Sequence, residues 1–261
     1  MSKNGTPLLE TSGLSKHFGG LAAVEALDIQ IITGEILGLI GPNGAGKTTC
    51  FNLITGFLHP DRGKIVHRGD DISRLHPYGV VKRGIARSFQ ANVLFMDKTV
   101  RENVLLGFHT KHQRGFLEEM LNTGRYKKER GEIEARVEEI LAEMSLTELK
   151  DQLARNLPHG YQRMLGVAVA LATGPELLLL DEPVTGMNDE ETMVMMGLIR
   201  KIRDRGVTIF LVEHDMKAVM GNSERIIVMD HGMKIAEGTP FEIANNPKVI
   251  EAYLGTGEFH A

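Results

Sequence analysis

The chain has 261 residues, of which 42% are hydrophobic and 25% are charged, a composition typical of a globular protein in water. Its net charge of −4 argues against a general nucleic-acid binder, because such proteins carry a basic surface. A single cysteine, Cys50, excludes a disulfide within these residues, and no apolar run reaches the roughly 18 residues of a membrane span.

The first part of the chain predicts a small antiparallel sheet. Short, partly alternating apolar patterns run from Leu8 to Ile32 and are broken at Gly19-Gly20, which predicts two antiparallel strands. A second strand pair is predicted around 64–67, before the turn at Gly69-Asp70. The first ten residues have neither the apolar core nor the cleavage site of a signal peptide, so none is expected.

The glycine-rich stretch GPNGAGKTT, at 41–49, follows a predicted strand at 35–40 and leads into a predicted helix from Cys50. Phosphate groups need backbone N–H groups aimed at them, and residues with little or no side chain let the backbone approach. Lys47 supplies a positive charge for the β- and γ-phosphates, and the Thr48 hydroxyl is placed to ligate Mg²⁺. The stretch therefore predicts a nucleoside triphosphate site formed by Gly41, Asn43, Gly44, Ala45, Gly46, Lys47, Thr48 and Thr49.

Two alternatives accompany this stretch. A glycine-rich turn without a ligand is disfavoured, because strand, turn and helix agree with the phosphate-binding pattern. Cys50 stands near a helix N-terminus, which can lower the pKa of a thiol, but packing beneath the nucleotide loop is the favoured interpretation.

The middle of the chain predicts helices. Thr99 and Glu102 have the spacing of a capping box and predict a helix from there to about Leu106. The polar stretch 107–130 is predicted to be a surface insertion. Apolar residues at helical spacing then predict an amphipathic helix over 132–146, and a second helix is predicted over 161–172.

The last third of the chain alternates strands with helices, which predicts a mostly parallel α/β sheet. The apolar run Leu177–Leu180 is typical of a strand buried on both faces. Three neighbouring methionines, Met193, Met195 and Met196, are predicted to pack in the core. The further predictions are helices over 190–204, 216–220 and 240–254 and strands over 207–212 and 226–229.

Two acidic residues follow the apolar run. Asp181, at the carboxyl end of the strand, lies where ligands bind in open α/β sheets and can hold Mg²⁺ through water. Glu182 can orient and polarise an attacking water as a general base. Apolar strands often end in acidic residues, so the pair predicts nucleotide hydrolysis only in combination with the phosphate loop.

The chain resembles the ATP-binding-cassette ATPases, since their motifs occur here in the same order: GPNGAGKTT, Gln90, LPHGYQ at 157–162, LLLLDEP at 177–183 and His214. Its later segments, KAVMGNSERIIVMDHGMKIAEGTP and NNPKVIEAYLG, are similar to the ATP-binding subunits of branched-chain amino acid importers. The resemblance implies an α/β P-loop NTPase, with a RecA-like, mostly parallel sheet, an antiparallel β subdomain and a helical signature subdomain. It also implies one cassette domain over 1–261, with the helical subdomain at about 91–174 and a helical tail at about 235–261.

Residue roles follow from the same resemblance. Gln90 matches the glutamine that reaches Mg²⁺ and the attacking water, and His214 matches the switch histidine that contacts the γ-phosphate. Phe18 matches the aromatic residue that stacks on adenine, with a core aromatic as the alternative. Asn188 stands at the usual aspartate position of the following loop. The signature segment, which faces the nucleotide of the opposite subunit, departs from the usual SGGQ and reads Pro158, His159, Gly160 and Tyr161.

The resemblance also implies cofactors and partners. ATP and Mg²⁺ are expected, in the energy-coupling ATPase of an importer for branched-chain or related amino acids. Expected partners are transmembrane permease subunits, a second ATPase subunit that is either a copy or a sister chain, and indirectly a solute-binding protein, but no nucleic acid. The expected location is cytoplasmic, peripheral on the inner face of the cell membrane. The alternatives are a cassette ATPase acting on nucleic acid or ribosomes, and a P-loop kinase, for which no acceptor motif is present.

Overall fold

The computed structural model describes residues 7–88, 94–108, 124–214 and 216–254, with the backbone alone at 124–129 and 254. The strands in these ranges are β1 (Pro7–Phe18), β2 (Leu21–Ile32), β3 (Ile36–Ile40), β4 (Arg62–His67), β5 (Asp70–Asp71), β6 (Ile85–Ser88), β7 (Leu177–Asp181), β8 (Thr208–Val212), β9 (Arg225–Asp230) and β10 (Met233–Gly238). The helices are α1 (Lys47–Ile54), α2 (Pro77–Lys82), α3 (Val100–Phe108), α4 (Gly124–Glu143), α5 (His159–Ala172), α6 (Asp189–Asp204), α7 (Met216–Met220), α8 (Pro240–Ala244) and α9 (Pro247–Leu254).

These strands form two sheets. The first is antiparallel, in the order β2-β1-β4-β5, as the alternating N-terminal patterns predict. The second has the order β10-β9-β3-β8-β7-β6 and is parallel except for the antiparallel pair β9–β10. The α/β class with a mostly parallel sheet and an antiparallel β part is therefore confirmed.

The parallel sheet is buried on both faces, which explains its continuous apolar strands. Along β7, Leu178 and Leu180 pack into the cluster formed with helices α3, α4 and α5. Leu177 and Leu179 point to the other face, where the core between the two sheets lies. Because side chains alternate along a strand, both sets must be apolar here, and all five residues of β7 are buried.

Capping chemistry fixes the starts of two helices. The Thr99 N–H donates to Glu102 Oε2 at 2.8 Å, and the Glu102 N–H donates to Thr99 Oγ1 at 3.1 Å, the reciprocal pair of a capping box. Asn188 and Glu191 make the same exchange at the start of α6. The sequence predicts the first capping box. In the second capping box Asn188 caps α6, so asparagine keeps the cap at the position where the resembling family usually has aspartate.

Several predicted bounds are wrong. The helical tail is predicted from about residue 235, but residues 235–238 belong to the strand β10, which the sequence pattern does not predict. The first helix of the tail begins at Pro240. The helix α4 begins at Gly124 rather than at 132. The prediction missed its first part because the sequence there is charged and carries no apolar period. Gly107 is buried inside α3 and does not belong to a surface insertion, while 109–123 lie outside the described residues.

The methionine prediction is correct for two residues of three. Met195 and Met196 are buried in the core, but Met193 is 66% exposed. It precedes Met195 by two positions on α6, which turns it to the other side of the helix. No helix in the described ranges is long and apolar enough to span a bilayer.

Candidate functional site

The chemistry-bearing loops meet at one edge of the parallel sheet. The strands β3, β7 and β8 run parallel, so their carboxyl ends share this edge. Residues 41–46 follow β3, Glu182 follows β7, and Glu213 and His214 follow β8. Ligands of open α/β sheets bind at this edge, and a groove of about 440 Å³ lies there. Its lining comprises Phe18, Leu21, Ala22, Ala23, Asn43, Gly44, Ala45, Gly46, Lys47, Thr48, Thr49, Glu182 and His231.

The phosphate loop needs glycine at Gly46 for two reasons. Its φ of 101° lies in the left-handed region, which L side chains rarely adopt. A Cβ added there would also lie 2.3 Å from the carbonyl oxygen of Ala23, on β2. Helix α1 then begins at Lys47, three residues before the predicted start, so that the loop leads straight into the helix N-terminus.

Gly46→Ala is therefore expected to be much more destabilising than Gly44→Ala. Gly44 has a φ of 83°, but nothing lies within 4 Å of the place that a Cβ would occupy, so alanine there costs only the left-handed backbone energy, about 1–2 kcal/mol. At Gly46 the clash with backbone adds about 1–3 kcal/mol. Urea denaturation of both variants measures the difference. Equal losses of stability would show that the approach of Ala23 does not constrain the loop.

Lys47 lies within the loop that it serves. Only 8% of the residue is exposed, and its ammonium donates to the backbone carbonyls of Gly41 and Pro42. A buried ammonium group requires such partners, and these carbonyls hold the charge at the concave side of the loop. Cys50 packs beneath the loop, as predicted; it is buried, and burial raises the pKa of its thiol to about 12. Burial therefore outweighs the lowering of this pKa that a helix N-terminus would give.

Glu182 and His214 are brought together. His214 Nε2 lies 3.2 Å from Glu182 Oε2, and the Thr185 hydroxyl lies 3.4 Å from the same carboxylate oxygen and 3.5 Å from the imidazole. Hydrogen bonds of this length often tighten when the substrate binds. The Glu182 side chain is 20% exposed and lines the groove, whereas the His214 side chain is 50% exposed and lies beside Glu182 without lining the groove itself.

The backbone at Glu182 is strained. Its φ of 51° is unusual for a residue with a side chain, and such conformations cost about 1–3 kcal/mol. The surrounding structure holds it in place: the Glu182 N–H donates to the Val212 carbonyl at 2.8 Å, which joins the ends of β7 and β8. In this conformation the Glu182 side chain lines the groove.

Asp181 is held by a buried cation. Arg87, on β6, donates from Nη2 to Asp181 Oδ2 at 2.5 Å and from Nη1 to Asn52 Oδ1 on α1 at 2.7 Å. The two side chains are 8% and 10% exposed, and the guanidinium lies over the ring of Phe51. A paired and hydrogen-bonded charge is the form in which a carboxylate is tolerated in a protein interior. Sequence reasoning missed Arg87.

The oxygen donors of the site suit Mg²⁺. The Thr48 hydroxyl at the start of α1 and the Asp181 carboxylate are hard oxygen ligands. Among the described residues, no group of three His, Cys, Asp or Glu side chains forms a metal cage. Mg²⁺ is usually held by one or two protein oxygens together with substrate phosphates and water, so this donor set fits.

The signature residues lie apart from this groove. Pro158 caps α5, where His159 and Gly160 form the first turn, and none of the residues 158–161 lines the groove. His159 lies instead against the loop that follows Glu182: a Cβ added at Gly186 would lie 3.3 Å from the His159 ring. Tyr161 is 37% exposed. Within one chain, the signature therefore faces outward.

The other predicted residues have definite places. Phe18 is 49% exposed and lines the groove, so the alternative of a core aromatic is wrong. Gln90 lies outside the described residues. His231, which sequence reasoning missed, lines the groove from the turn after β9. The rule that ligands bind at the carboxyl ends of parallel strands would have identified it, because β9 pairs in parallel with β3.

The chain is similar to known proteins along nearly its whole length. Residues 24–185 match the family model described as "ABC transporter", and residues 233–258 match "Branched-chain amino acid ATP-binding cassette transporter". The high-affinity branched-chain amino acid transport ATP-binding protein BraF of Pseudomonas aeruginosa is 41% identical over 250 residues, which cover 95% of this chain and 98% of BraF.

A second relative and a solved structure agree. The high-affinity branched-chain amino acid transport ATP-binding protein LivG of Escherichia coli K12 is 43% identical over 250 residues, covering 95% of this chain and 98% of LivG. The crystal structure of the ADP conformation of MJ1267, an ATP-binding cassette of an ABC transporter, superimposes with a TM-score of 0.84 at 28% identity, covering 96% and 99% of the two chains.

Proposed function

The chain belongs to the ABC transporter family of ATP-binding proteins, and we propose that it is the ATP-hydrolysing subunit of an importer for branched-chain or related amino acids. The observation that carries the choice of solute is the C-terminal match at 233–258, which lies outside the nucleotide-binding loops. The names of BraF and LivG, both branched-chain amino acid transport ATP-binding proteins, support the same choice. Neither relative supports the alternative of a cassette acting on nucleic acid or ribosomes.

Nucleotide binding follows from the groove. Stacking of adenine on Phe18, which lines the groove, leaves the triphosphate over the loop 41–49. There the amides at the start of α1 and the Lys47 ammonium face the phosphate oxygens. Thr48 and Asp181 would hold Mg²⁺, together with Gln90 if it reaches the site as the family resemblance implies. Bound Mg²⁺ neutralises phosphate charge.

Hydrolysis follows from Glu182 and His214. The Glu182 carboxylate, which lines the groove, accepts a proton from the attacking water. His214, 3.2 Å from that carboxylate, is placed to donate to the γ-phosphate oxygens, where negative charge is held in the transition state. The Thr185 hydroxyl contacts both side chains and helps to hold them next to each other.

A second ATPase subunit completes the site in this proposal. The signature residues at the start of α5 face away from the groove of their own chain, so they can contact only the nucleotide of another chain. We assign α3, α4 and α5 to the helical subdomain at about 91–174. Pro158 and Tyr161 remove the serine and glutamine side chains of the usual signature, which leaves the Gly160 amide to contact the phosphate. This asymmetry favours pairing with a sister ATPase.

The permease partner is proposed to dock in an apolar groove of about 320 Å³. Here "the apolar groove" means the surface lined by Phe57, Tyr78, Phe95, Leu106 and Val169, of which the first three are 52%, 45% and 57% exposed. Arg87 lines the same groove and also binds Asp181, so a docked permease would touch a residue that contacts the nucleotide site.

The function is tested by isolating the native membrane complex through a tag on this chain and by measuring uptake of labelled amino acids. The expected result is a complex with permease chains and a sister ATPase, and a strain without the gene that loses uptake of leucine, isoleucine or valine. Copurification with ribosomes, with uptake intact, would favour the nucleic-acid alternative. A complex with two copies of this chain would contradict only the sister pairing.

Tyr78→Glu is expected to release the chain from the membrane fraction while its ATP affinity stays within about twofold of wild type, because Tyr78 does not line the nucleotide groove. A charge in an apolar interface costs several kcal/mol unless it is paired, which is about a 10²-fold loss of association or more. The matched control is Phe241→Glu on α8, since Phe241 is 80% exposed and does not line the apolar groove. Equal membrane binding of both variants would exclude this groove as the docking site.

A further inference from the structure

A buried carboxylate lies between the two loops that carry Glu182 and His214. Glu213 is 1% exposed, directly after β8 and directly before His214. The four residues directly before it, 209–212, are apolar and buried, so a carboxylate at this place stands out from its surroundings. A buried charge is costly unless it is hydrogen-bonded, so the contacts of this carboxylate explain its presence.

Its two oxygens bind the backbone of both loops. The Val184 N–H donates to Glu213 Oε1 at 2.8 Å, and the His214 N–H donates to Glu213 Oε2 at 3.3 Å. Val184 lies two residues after Glu182, on the loop that leads to Thr185. The carboxylate therefore bridges the loop of the general base and the loop of the switch histidine, using one oxygen for each.

We propose that Glu213 is a positioning residue for ATP hydrolysis: it fastens the loop of His214 to the loop of Glu182, so that both side chains face the terminal phosphate together. The inference rests on the proposed roles of Glu182 and His214. Two further contacts join the same two loops: the hydrogen bond from the Glu182 N–H to the Val212 carbonyl, and the 3.2 Å contact between the Glu182 and His214 side chains. Among these three connections between the loops, only the one through Glu213 uses a side chain that does not itself take part in the proposed reaction.

Glutamine is the informative replacement because it keeps the length and volume of glutamate. It has one acceptor oxygen, so its amide N–H₂ group would face either the Val184 N–H or the His214 N–H, and one loop would lose its anchor. A role in packing alone would be served equally well by glutamine.

Glu213→Gln is expected to lower kcat for ATP hydrolysis by about 10- to 100-fold, the loss typical of one hydrogen bond to a charged group. KM for ATP is expected to stay within about threefold, since the phosphate loop is untouched. In single-turnover assays on a His214→Ala background, the same change is expected to cost less than it does in the wild type, because the part of the effect that acts through His214 is already lost. The matched control is Glu143→Gln, a buried carboxylate paired with Arg205 far from the groove, for which kcat stays unchanged.

The outcomes separate this inference from the proposed function. A kcat of Glu213→Gln within about twofold of wild type would overturn the positioning role, and an equal loss in the His214→Ala background would overturn its coupling to His214. Glu182→Gln is measured in parallel: if it also hydrolyses ATP at the wild-type rate, the proposed function itself fails. If Glu213→Gln does not fold, Glu213→Asp replaces it in the same cycle, since aspartate keeps both oxygens but spans the two loops less well.

Discussion

Glu182→Gln is expected to lower kcat for ATP hydrolysis by about 10²- to 10⁴-fold while ATP still binds. A carboxamide cannot take a proton from water at neutral pH, yet it has the size of the carboxylate and does not alter the loop that holds the phosphates. The variant should therefore stay in the ATP-bound, dimeric state that precedes hydrolysis. Phosphate release gives kcat, and gel filtration with and without ATP measures the dimer.

The control for this change is Glu251→Gln, which removes an exposed carboxylate on α9 that does not line the nucleotide groove. It should hydrolyse ATP like the wild type. Unchanged hydrolysis in Glu182→Gln, at matched protein and ATP concentrations, would remove Glu182 from its role as the base. The strained φ of 51° would then need another explanation, since strain of that kind collects at functional sites.

An element of the fold could be predicted from the sequence where burial alone determines which residue types occur in it. The apolar run 177–180 has to be a doubly buried strand, and the structure shows it so. The missed strand β10 is different, because none of its residues is fully buried and it lies at the edge of the sheet. The early start of α4 was missed because a charged sequence gives no apolar period from which a helix could be predicted.

The site divides in the same way. Lys47, Asp181 and Glu182 stand in local patterns whose chemistry is readable from spacing, and the groove brings the loop and Glu182 together. Arg87 and Glu213 act through contacts between segments distant in sequence, such as the 94-residue separation of Arg87 and Asp181. No local pattern reports such a contact. Only the pairing of β6 with β7 and of β7 with β8 makes these partners neighbours.

Lys47→Ala is expected to weaken ATP binding by about 10- to 100-fold or more and to abolish solute uptake. Each hydrogen bond from a charged donor to a phosphate oxygen contributes about 1.5–3 kcal/mol, and alanine removes all of those made by the ammonium. The loop itself also loses two contacts, because in the wild type the ammonium donates to the Gly41 and Pro42 carbonyls. Isothermal titration with ATP, ADP and AMP measures the effect.

The three nucleotides separate loss of a phosphate contact from loss of the loop. If Lys47 acts on the β- and γ-phosphates, its removal should weaken ATP and ADP binding and leave AMP binding nearly unchanged, whereas a collapsed loop would weaken all three. Lys64→Ala, which removes an exposed lysine on β4, is the control for charge alone. Wild-type ATP affinity and uptake in Lys47→Ala would contradict the site, because no other ammonium group lines the described groove.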